Sequence, residues 1–137
     1  MAGCSGPRHL APISVDLRQH HFSAELATNE ASREYGLMNR TALAADHGML
    51  FAFTDESPRA FWMKNTLIPL DMLYFDTRHR LVSVQANVPP CKADACPTYP
   101  SQAPARYVLE LSAGTAERIG VQAGDTLSID GDIGPVR

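Results

Sequence analysis

Phe61-Trp62-Met63-Lys64-Asn65-Thr66-Leu67-Ile68-Pro69-Leu70-Asp71 is the stretch of this sequence that decides the fold. It holds the only tryptophan of the chain and places Lys64, Asn65 and Asp71 among apolar residues. Burying an unpaired charge is costly, so polar groups in such a run are expected where a core meets the surface. The residues on either side of 66–69 have the length and composition of strands, which predicts two strands joined by a crossover.

Similar short segments recur on both sides of this stretch. Alternation of apolar and polar residues, with turn residues between the segments, predicts strands. Capping and stop residues predict two short helices, at 28–35 and 112–119, and one further helical turn near 41–45. The pattern predicts a mainly β fold, a compact β-sandwich or a partly closed β-barrel with about two short helices. The remaining strands are predicted at 13–17, 22–26, 48–53, 81–86, 106–111 and 126–129.

Length and composition agree with one small domain. The chain has 137 residues, and we expect residues 1–12 to be a flexible tether and 13–137 to form a single β-rich domain. The formal net charge of -3 offers no basic excess for a phosphate backbone, which argues against nucleic-acid binding. No apolar run approaches the roughly 20 residues that a membrane-spanning helix requires.

Four blocks of the sequence carry a family resemblance. They are Arg33-Glu34-Tyr35-Gly36-Leu37-Met38-Asn39-Arg40, Gly48-Met49-Leu50-Phe51-Ala52-Phe53, the Phe61-to-Asp71 stretch, and Tyr107-Val108-Leu109-Glu110-Leu111 with Ala113-Gly114. With these blocks the chain resembles the bacterial and archaeal domain of unknown function 192 family from about Ile13 onward. The resemblance implies a compact, mainly β fold and implies no reaction.

Two of the three cysteines are predicted to form a disulfide. Cys91 and Cys96 lie in a loop with prolines on both sides, where a four-residue gap allows the sulfur atoms to meet. The alternatives are two reduced thiols or a zinc site, and the zinc site lacks a second Cys/His pair at ligand spacing. A disulfide favours an oxidising compartment.

Cys4 lies in a different context. Small residues precede it in Met1-Ala2-Gly3-Cys4, as at the end of a bacterial lipoprotein signal. The basic and apolar regions of a signal peptide are absent, so either the earlier part has been removed or the match is chance. Cys4 is therefore a candidate lipidation site and would provide the only attachment to a membrane. Together with the disulfide, it favours an extracytoplasmic protein, in the periplasm or associated with the envelope.

The polar residues of the opening stretch form the candidate ligand site. Asn65 lies at the end of one predicted strand and Asp71 at the start of the next, so the two are expected close together. Trp62 and Lys64 lie beside Asn65 in the sequence. Tyr99 lies on the long proline-rich loop and could reach the same site. Such a cluster could bind the hydroxyl or amide groups of a ligand. Alternatively, Asn65 and Asp71 hold the backbone of a sharp bend and Tyr99 anchors its loop to the body of the domain.

Glu110 lies among apolar residues and therefore needs a partner. The simplest prediction is a structural ion pair with Arg33 or Arg40. In the catalytic alternative, Glu110 and Asp71 act as acid and base in a hydrolase, as paired carboxylates do in glycosidases.

No nucleophile motif, phosphate loop or metal-ligand spacing occurs, so we expect no catalytic residue, metal or cofactor. Several methionines near His47 raise the possibility of a copper(I) site, but core packing is the favoured explanation. The sequence favours a non-catalytic, extracytoplasmic domain that binds a small polar or saccharide-like ligand or a protein of the cell envelope. The alternatives are the hydrolase and a structural or interaction domain without a pocket.

Overall fold

The computed structural model describes residues 12–137. Alternating and apolar segments form strands there, and the two capped segments form short helices, so the mainly β prediction is confirmed. The lipidation site predicted at Cys4 lies outside the described residues. In chain order the described elements are β1 (Ile13–Leu17), β2 (His20–Ala27), α1 (Glu30–Tyr35), β3 (His47–Ser57), β4 (Ala60–Trp62), β5 (Leu70–Phe75), β6 (Leu81–Val88), β7 (Thr98–Pro100), β8 (Ala105–Ser112), α2 (Thr115–Ile119) and β9 (Leu127–Asp130).

Seven strands form one curled sheet, in the order β6-β5-β8-β3-β2-β1-β9. Its two outer strands meet at their beginnings, where the Leu81 amide donates to the Asp125 carbonyl at 2.8 Å and the Leu127 amide donates to the His79 carbonyl at 2.8 Å. These bonds close one end of the sheet and leave the other end open, as expected for a partly closed barrel.

Helix α1 connects β2 to β3, which are the parallel pair of the sheet. The Asn29 side chain caps it by accepting from the Ser32 amide at 2.9 Å, and Gly36 ends it at φ 52°. A Cβ atom at Gly36 would lie 3.3 Å from the Phe51 ring. Glycine therefore both permits the left-handed turn and lets the helix end approach the sheet closely.

The sheet separates two apolar cores, because successive side chains of a strand point to opposite faces. The first core, on the inside of the curl, includes Leu50, Leu73, Leu109 and Leu111 and is covered at one end by α2. The second core lies on the opposite face of the central strands. It includes Met49, Phe51, Met63, Met72, Tyr74 and Val108.

A small second sheet and a disulfide lie over the second core. Strand β4 pairs with β7, with Phe61 opposite Tyr99. Cys91 and Cys96 are bonded, with their Cα atoms 6.0 Å apart, as the sequence predicted. Cys91 also forms backbone bridges with Lys64 and Thr66, which ties the disulfide loop to the segment that follows β4.

Three local predictions are wrong. Strand β3 continues through 54–57, beyond the predicted strand at 48–53, because Ser57 pairs with Ala105 across an irregularity in the ladder. Residues 41–45 form no helical turn. The loop predicted over 87–105 contains β7 and the last residues of β6, since tertiary pairing overrides the local preference of proline-rich sequence.

Within residues 12–137, no helix has the length and apolar character needed to cross a membrane.

Candidate functional site

A cavity of about 450 Å³ opens beside α1, on the face of the sheet that carries the second core. Its walls come from α1 and the turn that follows it, from β3, and from β4 with the segment beyond it, and Glu110 of β8 contributes a carboxyl group. The lining residues are Glu30, Arg33, Glu34, Tyr35, Gly36, Leu37, Met38, Phe51, Phe53, Ala60, Phe61, Trp62, Lys64, Thr66, Thr98 and Glu110.

Glu110 is a buried carboxyl group with no partner among the described residues. It lies between Met49 and Met72, its neighbours on the two adjacent strands, and only 4% of the residue is exposed. Within residues 12–137 its side chain makes no hydrogen bond or ion pair. Its carboxyl oxygens keep some accessible surface toward the cavity, since Ser83 Oγ is the one fully buried polar side-chain atom without a partner in that range. Burial raises the pKa of Glu110 to about 8, so at neutral pH the acid form predominates.

Aromatic side chains form the apolar wall of the cavity. Phe61 contacts Phe51 and Phe53 edge to face, with ring centroids 4.9 and 6.2 Å apart. Trp62 is 49% exposed and is the one large apolar side chain exposed to this extent within residues 12–137. An apolar wall with few polar groups is typical of small-molecule sites.

The two basic residues of the wall are bonded elsewhere. Arg33 donates to the backbone carbonyls of Ala52 at 2.9 Å and Arg137 at 2.6 Å. Lys64 donates from Nζ to the Ala93 carbonyl at 2.7 Å, in the loop closed by the disulfide. Neither cation is bonded to Glu110.

The predicted ion pair between Glu110 and Arg33 or Arg40 is therefore wrong. Arg40 instead binds Glu25 of β2 through two hydrogen bonds of 2.8 and 2.6 Å. Glu25, Met49 and Glu110 lie side by side on three adjacent strands, so the Cα atoms of the two glutamates are about 10 Å apart. Arginine binds the one nearer the surface, where its own charge stays partly solvated.

Glu25 is the carboxylate that the fold uses for an ion pair. It also lies 2.8 Å from His47 Nε2. The Arg40 hydrogen bonds lower the pKa of Glu25 to about 2 against the opposing effect of burial, and His47 adds to the lowering. The cluster links β2 and the start of β3 to the segment after α1.

We expect Glu25→Gln to lower the free energy of unfolding by about 1–2 kcal/mol at pH 7. The folded-state pKa of Glu25 lies below its ordinary value of 4.5, so this stabilisation is present above about pH 4.5 and is lost as the pH falls toward 2. Urea denaturation at pH 7 and pH 3 measures the free energy of unfolding of both proteins. The difference between wild type and Glu25→Gln should be smaller at pH 3 than at pH 7. An equal difference at both pH values would mean that the ion pair does not carry the effect.

Asp71 does not line the cavity. Its side chain is fully buried and accepts three backbone hydrogen bonds, from Asn87 at 2.8 Å, Gly114 at 3.2 Å and Ala116 at 2.8 Å. It thereby joins the start of α2 to the end of β6. These three hydrogen bonds favour the alternative in which Asp71 holds the local backbone.

The hydrolase pair of Asp71 and Glu110 is also wrong. Asp71 lies opposite Leu111, whereas Glu110 lies opposite Met72, so the two carboxyl groups point to opposite faces of the sheet. A shared cleft between them would require a shift of strand register by one residue.

The other predicted ligand residues divide into two groups. Trp62 and Lys64 line the cavity. Asn65 has φ 57° and its backbone bonds to Cys91 and Asn39, which is the bend role considered for it. Tyr99 packs against the second core and its carbonyl accepts from the Tyr74 hydroxyl at 2.8 Å, so it anchors its loop. Neither Asn65 nor Tyr99 lines the cavity.

The copper alternative finds no support in the contacts. Met49 and Met72 are fully buried in the second core, and the His47 ring is bonded to Glu25. Across residues 12–137, no group of three or more His, Cys, Asp or Glu side chains is arranged to hold a metal ion.

Sequence reasoning found Trp62 and Lys64 but missed most of the wall. Most of the missed residues come from α1, the turn that follows it, and Phe51 and Phe53 of β3. A signal was present, because each of the four blocks that carry the family resemblance contributes to the lining of the cavity. The blocks were assigned to separate strands and a helix, and only the fold brings them together.

Comparisons with known proteins agree with this fold. The structure of a candidate transcription regulator from Sinorhizobium meliloti 1021 is similar, with a TM-score of 0.80 and 39% identity over 93% of this chain and 98% of that one. A protein of unknown function from Novosphingobium aromaticivorans DSM 12444 has a TM-score of 0.75 and 33% identity, over 85% of this chain and 83% of that one. No curated protein matches significantly. The sequence profile of the DUF192 family, described as an uncharacterized ACR, matches residues 13–129, and the chain belongs to that family.

Proposed function

We propose that this domain binds a small polar ligand in the cavity beside α1 and does not transform it chemically. The observation that carries the proposal is Glu110, a buried carboxyl group that contacts the cavity and has no partner among residues 12–137. Leaving such a group unpaired costs stability, and a ligand that pairs with it recovers part of that cost. Buried polar groups without partners in native proteins often have a functional reason.

The shape and lining of the cavity support the same proposal. Its volume of about 450 Å³ lies within the usual range for small-molecule sites. The exposed Trp62 offers a flat apolar surface for the face of a sugar-like ring, and Thr66 and Glu110 offer groups for hydrogen bonds. A saccharide-like ligand is therefore compatible with the lining.

The arrangement gives little support to catalysis. Hydrolysis by paired carboxylates needs a second carboxyl group in a defined position beside Glu110, and Asp71 lies on the other face of the sheet. The S. meliloti relative is described as a candidate transcription regulator. A protein that binds DNA directly would be expected to carry a basic surface, whereas this chain has a net charge of -3.

The disulfide supports a setting outside the cytoplasm, because such bonds persist in oxidising compartments. We propose that the protein lies in the periplasm or at the envelope, that an envelope protein is the alternative partner, and that a lipid at Cys4 attaches the protein to the membrane. Mass spectrometry of the protein purified from membranes of its native host would detect that lipid.

A ligand screen tests the binding function. Mono- and disaccharides and small polar metabolites are screened for a rise in Tm with wild type and the Glu110→Gln variant. Glu117→Gln is the matched control, because Glu117 is exposed on α2 and does not line the cavity. A true ligand should raise the wild-type Tm by about 5 °C at tenfold excess over Kd.

The two glutamate variants decide how the screen is interpreted. We expect Glu110→Gln to reduce the Tm shift and Glu117→Gln to leave it unchanged. The proposal is contradicted if no compound shifts the wild-type Tm, or if the active compounds shift both variants equally.

A further inference from the structure

The ionisable groups that line the cavity leave one carboxyl group, that of Glu110, without a positive partner. Three glutamates line it, Glu30 and Glu34 on α1 and Glu110 on β8. The two cations of the wall, Arg33 and Lys64, donate to backbone carbonyls. Among the described residues, Glu110 is thus the lining carboxyl that is both buried and without a cation.

The protein itself cannot readily supply the missing partner. Arg33 is held by two carbonyls and its guanidinium also lies 5.1 Å from the Phe53 ring centroid. Lys64 is attached to the disulfide loop through both its backbone bridge to Cys91 and its Nζ bond to Ala93. Moving either cation toward Glu110 would break these contacts.

A ligand could satisfy Glu110 in two ways. A neutral oxygen atom could accept a hydrogen bond from the acid form, or a positive nitrogen could donate to the carboxylate. Hydrogen bonds between ionised groups are about twice as strong as those between neutral groups, so the charged pair gains more in a site shielded from water.

The aromatic wall favours the positive nitrogen. Phe51, Phe53, Phe61, Trp62 and Tyr35 line the cavity. The Phe53 ring already binds cations, since the guanidinium carbons of Arg59 and Arg33 lie 3.9 and 5.1 Å from its centroid, so the other rings are the ones available to a ligand. Aromatic rings attract cations through the negative charge of their faces, and rings combined with a carboxylate recognise ammonium groups. A neutral hydroxyl group would gain much less from the same rings.

We propose that the ligand of this cavity carries an ammonium group, which pairs with the Glu110 carboxylate and contacts the surrounding aromatic rings. The inference rests on the proposed binding function and specifies the chemical class of the ligand. An amino sugar or a small alkylamine belongs to this class. A metal ion does not, because the three lining glutamates are not grouped so that they could hold one, and no other such group occurs within residues 12–137.

The protonation of Glu110 gives this class a distinctive pH dependence. An ammonium ligand requires the ionised carboxylate, so its binding releases the proton that the empty site holds near neutral pH. Affinity should therefore rise as the pH increases from 6 to 8.5. The other ionisable groups that line the cavity are Glu30, Arg33, Glu34, Tyr35 and Lys64. Tyr74 on β5 lies close enough to Glu110 for the two groups to interact electrostatically.

Pairs of probes that differ in one charged group test the class. The pairs are n-butylamine with 1-butanol, benzylamine with benzyl alcohol, and glucosamine with glucose. Binding is followed by NMR through the indole N–H of Trp62, which is the only tryptophan and lines the cavity. The proteins are wild type, Glu110→Gln and the control Glu117→Gln, and n-butylamine is titrated at several pH values.

We expect at least one amine to bind wild type about tenfold more tightly than its neutral partner. That preference should disappear in Glu110→Gln, persist in Glu117→Gln and grow with pH. Neutral probes that bind as well as the amines would overturn the ammonium inference and leave the binding function intact. If no probe perturbs Trp62, and the wider screen also gives no ligand, both the inference and the binding function are rejected.

Discussion

Replacing Asp71 with alanine is expected to lower the free energy of unfolding by at least about 3 kcal/mol, because three buried backbone amides lose their acceptor. The amides belong to the end of β6 and the start of α2, so the substitution should loosen both together. For a domain of this size the Tm should fall by roughly 10–15 °C. Thermal and urea denaturation followed by circular dichroism measure the change.

Two further variants establish the cause. Asp71→Asn keeps the oxygen that accepts from the Asn87 and Gly114 amides, but it places an amide nitrogen against the Ala116 N–H. We therefore expect a loss of unfolding free energy between those of wild type and Asp71→Ala. Asp46→Ala is the control, since Asp46 is exposed and its carboxylate accepts no hydrogen bond from a described residue. If Asp71→Ala unfolds no more easily than Asp46→Ala, the structural role assigned to Asp71 is wrong.

Replacing Glu110 with glutamine is expected to stabilise the protein at alkaline pH. The folded-state pKa of Glu110, about 8, lies above its ordinary value of 4.5. Between these values the folded protein holds a proton that the unfolded chain has released. The free energy of unfolding therefore falls as the pH rises through this window, by up to about 1.4 kcal/mol per pH unit.

The glutamine variant lacks this dependence because its side chain stays neutral. We expect it to match wild type near pH 5 and to be more stable by about 2–4 kcal/mol at pH 8. Urea denaturation at pH 5, 6.5 and 8 measures the difference, with Glu117→Gln as the control that should show none. Equal pH dependence in wild type and Glu110→Gln would show that Glu110 is ionised in the folded state. A binding residue that costs stability is a familiar compromise in proteins.

The sequence predicted the class of fold because its signals are local. Alternation located most strands, and Asn29 and Gly36 marked the ends of α1 as capping residues do. The disulfide was also predictable, since Cys91 and Cys96 are close in the chain and flanked by prolines. These inferences need no knowledge of which strands are neighbours.

The site depended on strand neighbours and was therefore only partly predictable. Asp71 and Glu110 were both recognised as polar residues in apolar surroundings, but only the β5–β8 register places them on opposite faces. In the same way, Glu110 was the partner predicted for Arg33 or Arg40, and only the folded chain brings Glu25 within reach of Arg40. The role of α1 as a wall likewise follows from the parallel pairing of β2 and β3.

The titration of Glu110 in the protein without ligand tests the central claim most directly. Carbon-13 NMR of the labelled glutamate carboxyl groups, assigned with the Glu110→Gln variant, gives its midpoint. The account predicts a midpoint near pH 8, as burial without a partner requires. A midpoint at or below 4.5 would mean that water or a cation already satisfies Glu110, and would contradict the proposed site.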